Sequence, residues 1–472
     1  MLNRPFAMTI NGAPVSGAQS YDVINPATAR VFAQAPDCSS EELDLAIAGA
    51  RAAFSGWART PVDDRRRLIS DFAAAIVENV GELAQLLTME QGKPLKEAND
   101  EIMAGAHWLL ETAKLDIPET VSEDSDERRT VTVHEPLGVV AGIVPWNFPV
   151  MLAMCKVAPA LLAGNAMILK PAPTTPLTSL RIGELARDIL PAGVFSVISG
   201  NDQVGPWLTV HPDISKVSFT GSTATGKKVM QSAASTLKRV TLELGGNDAC
   251  IVMPGIDVEA VAQWVFWGSF TNAGQVCICT KRLYVHKDVY QPLMSALVSY
   301  AGNITIGDGA AEGTLMGPLQ NQTQYQRVIG LLNDARDRGY TFVAGGEVPE
   351  SPGYFLPISI LDNPPEDSRV VQEEQFGPIL PLLKFDTADE VVDRVNASEY
   401  GLGAVIWAGD EAEASAIARR LDVGSVWVNE IQHLSPHASF GGHKQSGIGV
   451  ECGLDGLLEY TVAKTIYSAK AQ

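Results

Sequence analysis

Residues 138–150 read Gly-Val-Val-Ala-Gly-Ile-Val-Pro-Trp-Asn-Phe-Pro-Val. The stretch opens as an apolar run over 139–144 and closes on a proline-bracketed turn that leads into a helical pattern over 150–162. A short apolar run bounded by turn residues reads as a buried strand. The unit then repeats. Strands are predicted over 165–169, 194–199, 216–220 and 240–244, with helices over 176–190, 204–210 and 223–234 between them. Pro176 suits the first turn of its helix. This alternation predicts a parallel sheet with helices on both faces. Such sheets bind ligands at the carboxyl ends of their strands.

A second alternating block runs from about 248 to 440, with strands expected over 249–252, 283–286, 341–344, 380–385, 405–407 and 426–428. Upstream, residues 41–116 read as helices, and 41–54, 61–79 and 81–90 carry apolar residues at three- and four-residue spacing. Ser39 or Ser40 is the expected cap of the first. Two segments fit neither block. Residues 124–135 contain Thr-Val-Thr-Val-His, and 460–467 form a comparable strand near the C-terminus. An isolated ribbon is marginal alone, so both are expected to pair between subunits as an arm.

With 472 residues, the chain is long enough for two or three domains. A net charge of −20 argues against nucleic-acid or anionic-membrane partners, which need a basic face. The six cysteines are too scattered for a secreted disulfide framework. No signal peptide and no apolar run long enough to span a membrane is visible. These features together suggest a reducing cytoplasm. The seven histidines show no metal-ligand spacing, so no metal site is expected.

Three motifs carry chemistry. Residues 270–279, Phe-Thr-Asn-Ala-Gly-Gln-Val-Cys-Ile-Cys, place Cys277 just after a Gly-Gln pair. Thirty-four residues upstream, Val-Thr-Leu-Glu-Leu-Gly-Gly sets the carboxylate of Glu243 in an apolar strand. Thiol and carboxylate make a nucleophile–base couple, and burial raises the carboxylate toward the working range of a general base. In Pro-Trp-Asn-Phe-Pro at 145–149, the prolines aim the amide of Asn147. The usual dinucleotide fingerprint is absent. Instead Val-Ser-Phe-Thr-Gly-Ser-Thr-Ala-Thr-Gly at 217–226 runs from strand to helix start, where backbone amides and Ser222 can meet a pyrophosphate.

Together these stretches resemble the aldehyde dehydrogenase superfamily, in its NAD(P)-dependent, non-acylating branch. The resemblance runs from Asn25-Pro26 through Phe440-Gly441-Gly442 to Ser446-Gly447. It implies two parallel-sheet α/β domains plus a small oligomerisation arm: 1–117 and 138–245 for the dinucleotide, 246–440 for catalysis, and 118–137 with 455–472 for the arm. It implies an aldehyde substrate, NAD or NADP as cofactor, and a homodimer or homotetramer. Cys277 would attack the aldehyde. Asn147 and the Cys277 backbone N–H would stabilise the oxyanion, and Glu243 would activate the hydrolytic water. Lys170, in Ile-Leu-Lys-Pro-Ala-Pro, would hold the adenosine ribose. Glu374, in Glu-Glu-Gln-Phe-Gly-Pro, would hold the nicotinamide ribose, with Phe376 beside it. Trp146, Gly200, Gly221, Ser222 and Leu244 complete the expected cofactor contacts.

The expected pocket comprises Phe148, Leu152, Cys155, Val276, Ile278, Gln432, His433, Leu434 and Phe440, a mostly apolar set that favours an uncharged aliphatic or aromatic aldehyde. Succinate-semialdehyde dehydrogenases carry arginines where this chain has Cys155 and Thr271. Their regulatory Cys-x-Cys is matched here by Cys277 and Cys279, and the alternative for Cys279 is simple packing. Two departures stand out. Asn247 replaces the usual lysine after Gly-Gly, and Pro173 replaces a glutamate of many NAD-using relatives. Without that carboxylate, both a ribose acceptor and a repulsion against a 2′-phosphate are lost, and the choice between NAD and NADP stays open. Rival readings are an enzyme passing the acyl group to coenzyme A and a catalytically silent scaffold.

Overall fold

The computed structural model describes residues 4–470; residues 1–3 of the expected first domain and 471–472 of the expected arm lie outside the described residues. In the first sheet, Phe195–Val197, Ala166–Lys170, Val139–Ile143, Lys216–Thr220 and Arg239–Glu243 lie side by side and parallel in that order. Numbered along the chain, this is 3-2-1-4-5, the order of a doubly wound sheet. Every residue of Val139–Ile143, Ala166–Lys170 and Lys216–Thr220 is buried. Helices cover both faces, which is why these strands read as apolar runs rather than alternating ones.

The edges came from segments that the repeating pattern does not reach. Met8–Ile10 pairs antiparallel with Phe195–Val197, and Gly447–Ile448 pairs antiparallel with Leu242–Glu243. The hairpin Gln19–Asn25 with Arg30–Asp37 was likewise not expected. These strands are short or half-exposed, so their apolar signal is weak.

The second sheet has the order Phe342–Ala344, Ser359–Asp362, Ile379–Phe385, Arg282–His286, Ala249–Val252, Gly403–Trp407, Ser425–Val428. All neighbours are parallel except the first pair. Ser359–Asp362 is the strand of this sheet that sequence reading missed. One hydrophobic core draws on residues from Phe6 to Leu244 together with Leu457 and Tyr460, and a second runs from Ala249 to Trp427.

The expected helices form as Ser40–Trp57, Val62–Glu78 and Val80–Gln91, followed by Leu95–Thr112. Ser39 is the cap of the first: its hydroxyl accepts from Glu42 N at 3.2 Å, and the Glu42 carboxylate accepts from Ser39 N at 2.9 Å.

The arm differs from expectation. Arg128–Pro136 and Thr461–Ala469 pair antiparallel with each other inside one chain, with Thr130 opposite Tyr467 and His134 opposite Ala463. Thr120–Asp124 flanks Arg128–Pro136 on its other side. The chain itself supplies each strand with a partner, and the two outer strands of this three-stranded sheet keep one open edge each. Tyr460, expected in the strand, is instead buried in the turn before it. Among the described residues, no helix is long and apolar enough to cross a membrane.

Candidate active site

The carboxyl ends of the first sheet deliver most of the expected residues. Asn147 follows Val139–Ile143, Lys170 ends Ala166–Lys170, Gly221 and Ser222 follow Lys216–Thr220, and Glu243 ends Arg239–Glu243. One cavity is lined by Pro145, Trp146, Asn147, Leu152, Thr220, Gly221, Ser222, Leu244, Gly245, Cys277, Gln324, Arg327, Glu374 and Phe376. It therefore joins the thiol and amide to most of the expected cofactor contacts.

The thiol is presented by a strained turn. Asn272, Ala273 and Gly274 all adopt positive φ, at 51°, 56° and 73°. Such backbone costs non-glycine residues of order 1–3 kcal/mol each and persists only where surroundings enforce it. Here they do. Asn272 Nδ2 donates to Asn147 O at 3.0 Å, Gln91 Nε2 donates to Asn272 Oδ1 at 3.1 Å, and Gln275 Nε2 donates to Asn272 O at 2.9 Å. Gly274 could carry no side chain, since a Cβ would stand 2.4 Å from Gly377 O.

Asn147 is buried, and its Nδ2 donates to Gln275 O at 2.9 Å. Its own carbonyl accepts from Lys93 Nζ at 3.0 Å. Lys93 Nζ in turn pairs with Glu101 Oε2 at 2.6 Å and lies 3.7 Å from the centre of the Phe148 ring. Glu101 Oε1 accepts from Val150 N at 2.8 Å and caps Pro149–Leu162. Sequence reading missed Lys93 and Glu101, and the Gly-Lys-Pro before the helix was their only local sign.

Burial pushes the Cys277 thiol up to about 12, Lys281 lowers it, and Asp248, Glu374 and Glu243 raise it. Lys281 Nζ donates to the carbonyls of Val276, Cys277 and Cys279 at 2.8, 2.6 and 3.2 Å. Glu243 is buried, and neither carboxylate oxygen has a hydrogen-bond partner. Burial foremost, then the charge of Glu451, holds it well above the usual carboxylate range, and Lys156 opposes this. Lys156 itself pairs with Glu451 and donates to Ser218 Oγ at 3.1 Å.

The cofactor contacts fall into two groups. Trp146 meets Phe376 edge-on at 5.4 Å, and Glu374 Oε1 accepts from Gly246 N at 3.1 Å. A Cβ on Gly245 would stand 2.4 Å from Glu374 Oε2, so a larger residue there would push that carboxylate aside. Ser222 caps Thr223–Ala233. Lys170 and Gly200 lie apart from this cavity, near Asp37 and Asp202. Burial pushes the Lys170 amine down to about 8. Asp37, also missed, accepts from Asn201 N at 3.0 Å.

Of the expected pocket residues, Leu152 lines the thiol cavity. His433, Leu434 and Phe440 line a second hollow with Trp427. Cys155 and Ile278 are buried, Phe148 and Val276 half-buried. Gln432 Nε2 is spent on Gly268 O at 2.8 Å. Gln324 and Arg327, which do line the thiol cavity, stand on Gln322–Asp337, a helix with no motif to announce it.

Fold and site together define an NAD(P)-dependent oxidoreductase. Residues 14–466 match the aldehyde dehydrogenase family. The chain is 45% identical to a probable aldehyde dehydrogenase of a Pseudomonas species, over 98% of this chain and 94% of that protein. It superposes on the NAD+ complex of a Bacillus cereus aldehyde dehydrogenase with a TM-score of 0.95, at 37% identity, over 99% of this chain and 97% of that one. An E. coli NADP-dependent enzyme matches with a TM-score of 0.96 at 35% identity over the whole of both chains. The chain belongs to the aldehyde dehydrogenase family, and it is an enzyme that oxidises aldehydes with NAD(P).

Proposed function

We propose that the enzyme converts an uncharged aliphatic or aromatic aldehyde to its acid by covalent catalysis at Cys277. The Cys277 thiol gives up its proton to solvent, and its sulfur adds to the carbonyl carbon to form the oxyanion of a thiohemiacetal. The free N–H of the Asn147 amide and the Cys277 backbone N–H hold the oxyanion. Trp146, Gly221, Ser222, Leu244, Glu374 and Phe376 would hold NAD(P)+, which when bound would supply the two-electron acceptor needed to oxidise the Cys277 adduct to a thioester. Glu243 then takes a proton from water, which attacks the acyl carbon; the C–S bond breaks and the acid leaves.

The observation that carries this reading is one cavity joining Cys277 and Asn147 to Trp146, Gly221, Ser222, Leu244, Glu374 and Phe376. The unpartnered carboxylate of Glu243 supports it, because a buried polar group without a partner invites a functional explanation. Glycine-lined strand ends and the capped Thr223–Ala233 helix suit a pyrophosphate, with Lys170 and Gly200 toward the adenosine end. Pro173 offers neither a carboxylate acceptor for a ribose hydroxyl nor one to repel a 2′-phosphate, so the cofactor is NAD+ or NADP+ and the choice is left to the assay.

The same reading assigns 1–117 and 138–245 to the dinucleotide, 246–440 to catalysis, and 118–137 with 455–472 to an arm for a homodimer or homotetramer in the cytoplasm. The two separate cores support the first division.

The test is reduced-cofactor absorbance with an aldehyde panel, using NAD+ and NADP+, with and without coenzyme A. Cys277→Ala should abolish turnover while cofactor still binds. Turnover at a substantial fraction of the parent rate in that variant, or a strict need for coenzyme A, would sink the proposal.

A further inference from the structure

Lys281 is a buried cation with an unusual set of partners. Its side chain is 3% exposed. Its ammonium donates to three carbonyls of the segment 276–279, those of Val276, Cys277 and Cys279. It also faces Glu374 Oε1 at 3.8 Å and the Phe376 ring at 6.0 Å. A lysine that only anchored a loop would satisfy its three N–H donors on those carbonyls and need no carboxylate. Here one charge is shared between the loop that bears the thiol and a carboxylate of the thiol cavity.

We propose that Lys281 is a positioning residue for the reaction: it fixes the backbone that carries Cys277 and supplies the positive field that favours its thiolate, a field that Glu374 partly neutralises. This rests on Cys277 being the nucleophile. Thiolates gain stability beside lysine. The charged groups facing the thiol are Lys281 on one side and Asp248, Glu374 and Glu243 on the other. Asp248 is itself faced by Lys281 and Arg282, and Glu374 by Lys281 and Arg327. Lys281 is thus the cation set against three acidic side chains, and its removal takes away the positive charge that favours the thiolate. Any rearrangement that draws Glu374 away from Lys281 directs more of that field to Cys277.

The measurement is the rate of iodoacetamide alkylation of Cys277 against pH, read by mass spectrometry of a chymotryptic peptide cut after Phe270, which excludes Cys250, in a Cys279→Ala background where Cys277 is that peptide's one thiol. Lys281→Met should move the midpoint up by about one pH unit, a roughly tenfold loss of thiolate at fixed pH. Lys281→Arg should restore most of it. Glu374→Gln should move the midpoint down. A structural role alone predicts no displacement of the midpoint in any of them. An unchanged midpoint in Lys281→Met with cofactor binding intact overturns the proposal, and so does an upward shift in Glu374→Gln. If Lys281→Met does not fold, the downward shift in Glu374→Gln decides. Failure of the nucleophile reading looks different: the parent enzyme, fully alkylated at Cys277, would still turn over.

Discussion

The amide of Asn147 has two N–H groups, and the fold occupies one of them with Gln275 O. The other is left for an oxyanion, which is the economy expected of a side chain held for use. Glu243 shows the opposite condition, with both oxygens unpartnered in a buried site. Its raised pKa has a kinetic sign. The group must lose its proton to act as a base, and burial with Glu451 nearby delays that loss to higher pH. Turnover limited by hydrolysis should therefore climb with pH through this raised pKa. Glu243→Gln should flatten that climb and leave a burst of reduced cofactor followed by turnover slower by roughly a hundredfold or more. A variant with no burst and normal steady turnover would exclude Glu243 as the base. Specificity is also argued at this scale. Thr271 Oγ1 is spent on Trp267 O at 2.6 Å, and Cys155 is buried, so neither reads a distal carboxylate. Lacking two charge-assisted hydrogen bonds of about 1.5–3 kcal/mol each, succinate semialdehyde should show kcat/KM about a hundredfold or more below that of butanal or benzaldehyde. A clear preference for succinate semialdehyde would refute this.

At the scale of elements, two helices and a turn are locked by one buried ion pair. Leu95–Thr112 delivers Glu101 to the start of Pro149–Leu162, and Lys93 ties Glu101 to the carbonyl of Asn147. Both side chains of the pair are fully buried. Removing one partner strands a charge, at a cost of about 3–5 kcal/mol. Lys93→Met should show that loss in urea denaturation and should lower kcat more than it raises KM, because Asn147 loses its support. Stability within about 0.5 kcal/mol of the parent would show the pair to be dispensable. The Thr271–Gly274 turn was legible as a nucleophile motif but not as strain. Positive φ at Asn272 and Ala273 follows from contacts with Gln91, Asn147 and Gln275, none of which the local sequence announces.

Over the whole molecule, the arm sheet leaves Val121, Ile466 and Tyr467 exposed, Tyr467 at 71%. With Thr120–Asp124 and Thr461–Ala469 as its two edges, this sheet has both an apolar surface and open backbone to offer a second copy. Light scattering at micromolar concentration should find a dimer or tetramer, and deleting residues 461–470 should reduce it to monomer. A monomeric parent would remove the basis for this. What the sequence determined by itself is local. Apolar runs such as 139–144 and 216–220 announced buried parallel strands, because burial on both faces imposes composition residue by residue. Cys277, Glu243 and Asn147 announced themselves through turns and strand ends of a few residues. Only the tertiary structure decided which distant segments meet. The 3-2-1-4-5 order brings Thr220, Leu244 and Asn147 to one cavity, Thr461–Ala469 returns to Arg128–Pro136, and Lys93 and Lys281 become buried anchors. A lysine in a polar stretch reads as solvated; what overrides that reading is a carboxylate or carbonyl supplied from elsewhere in the chain, and periodicity carries no trace of it.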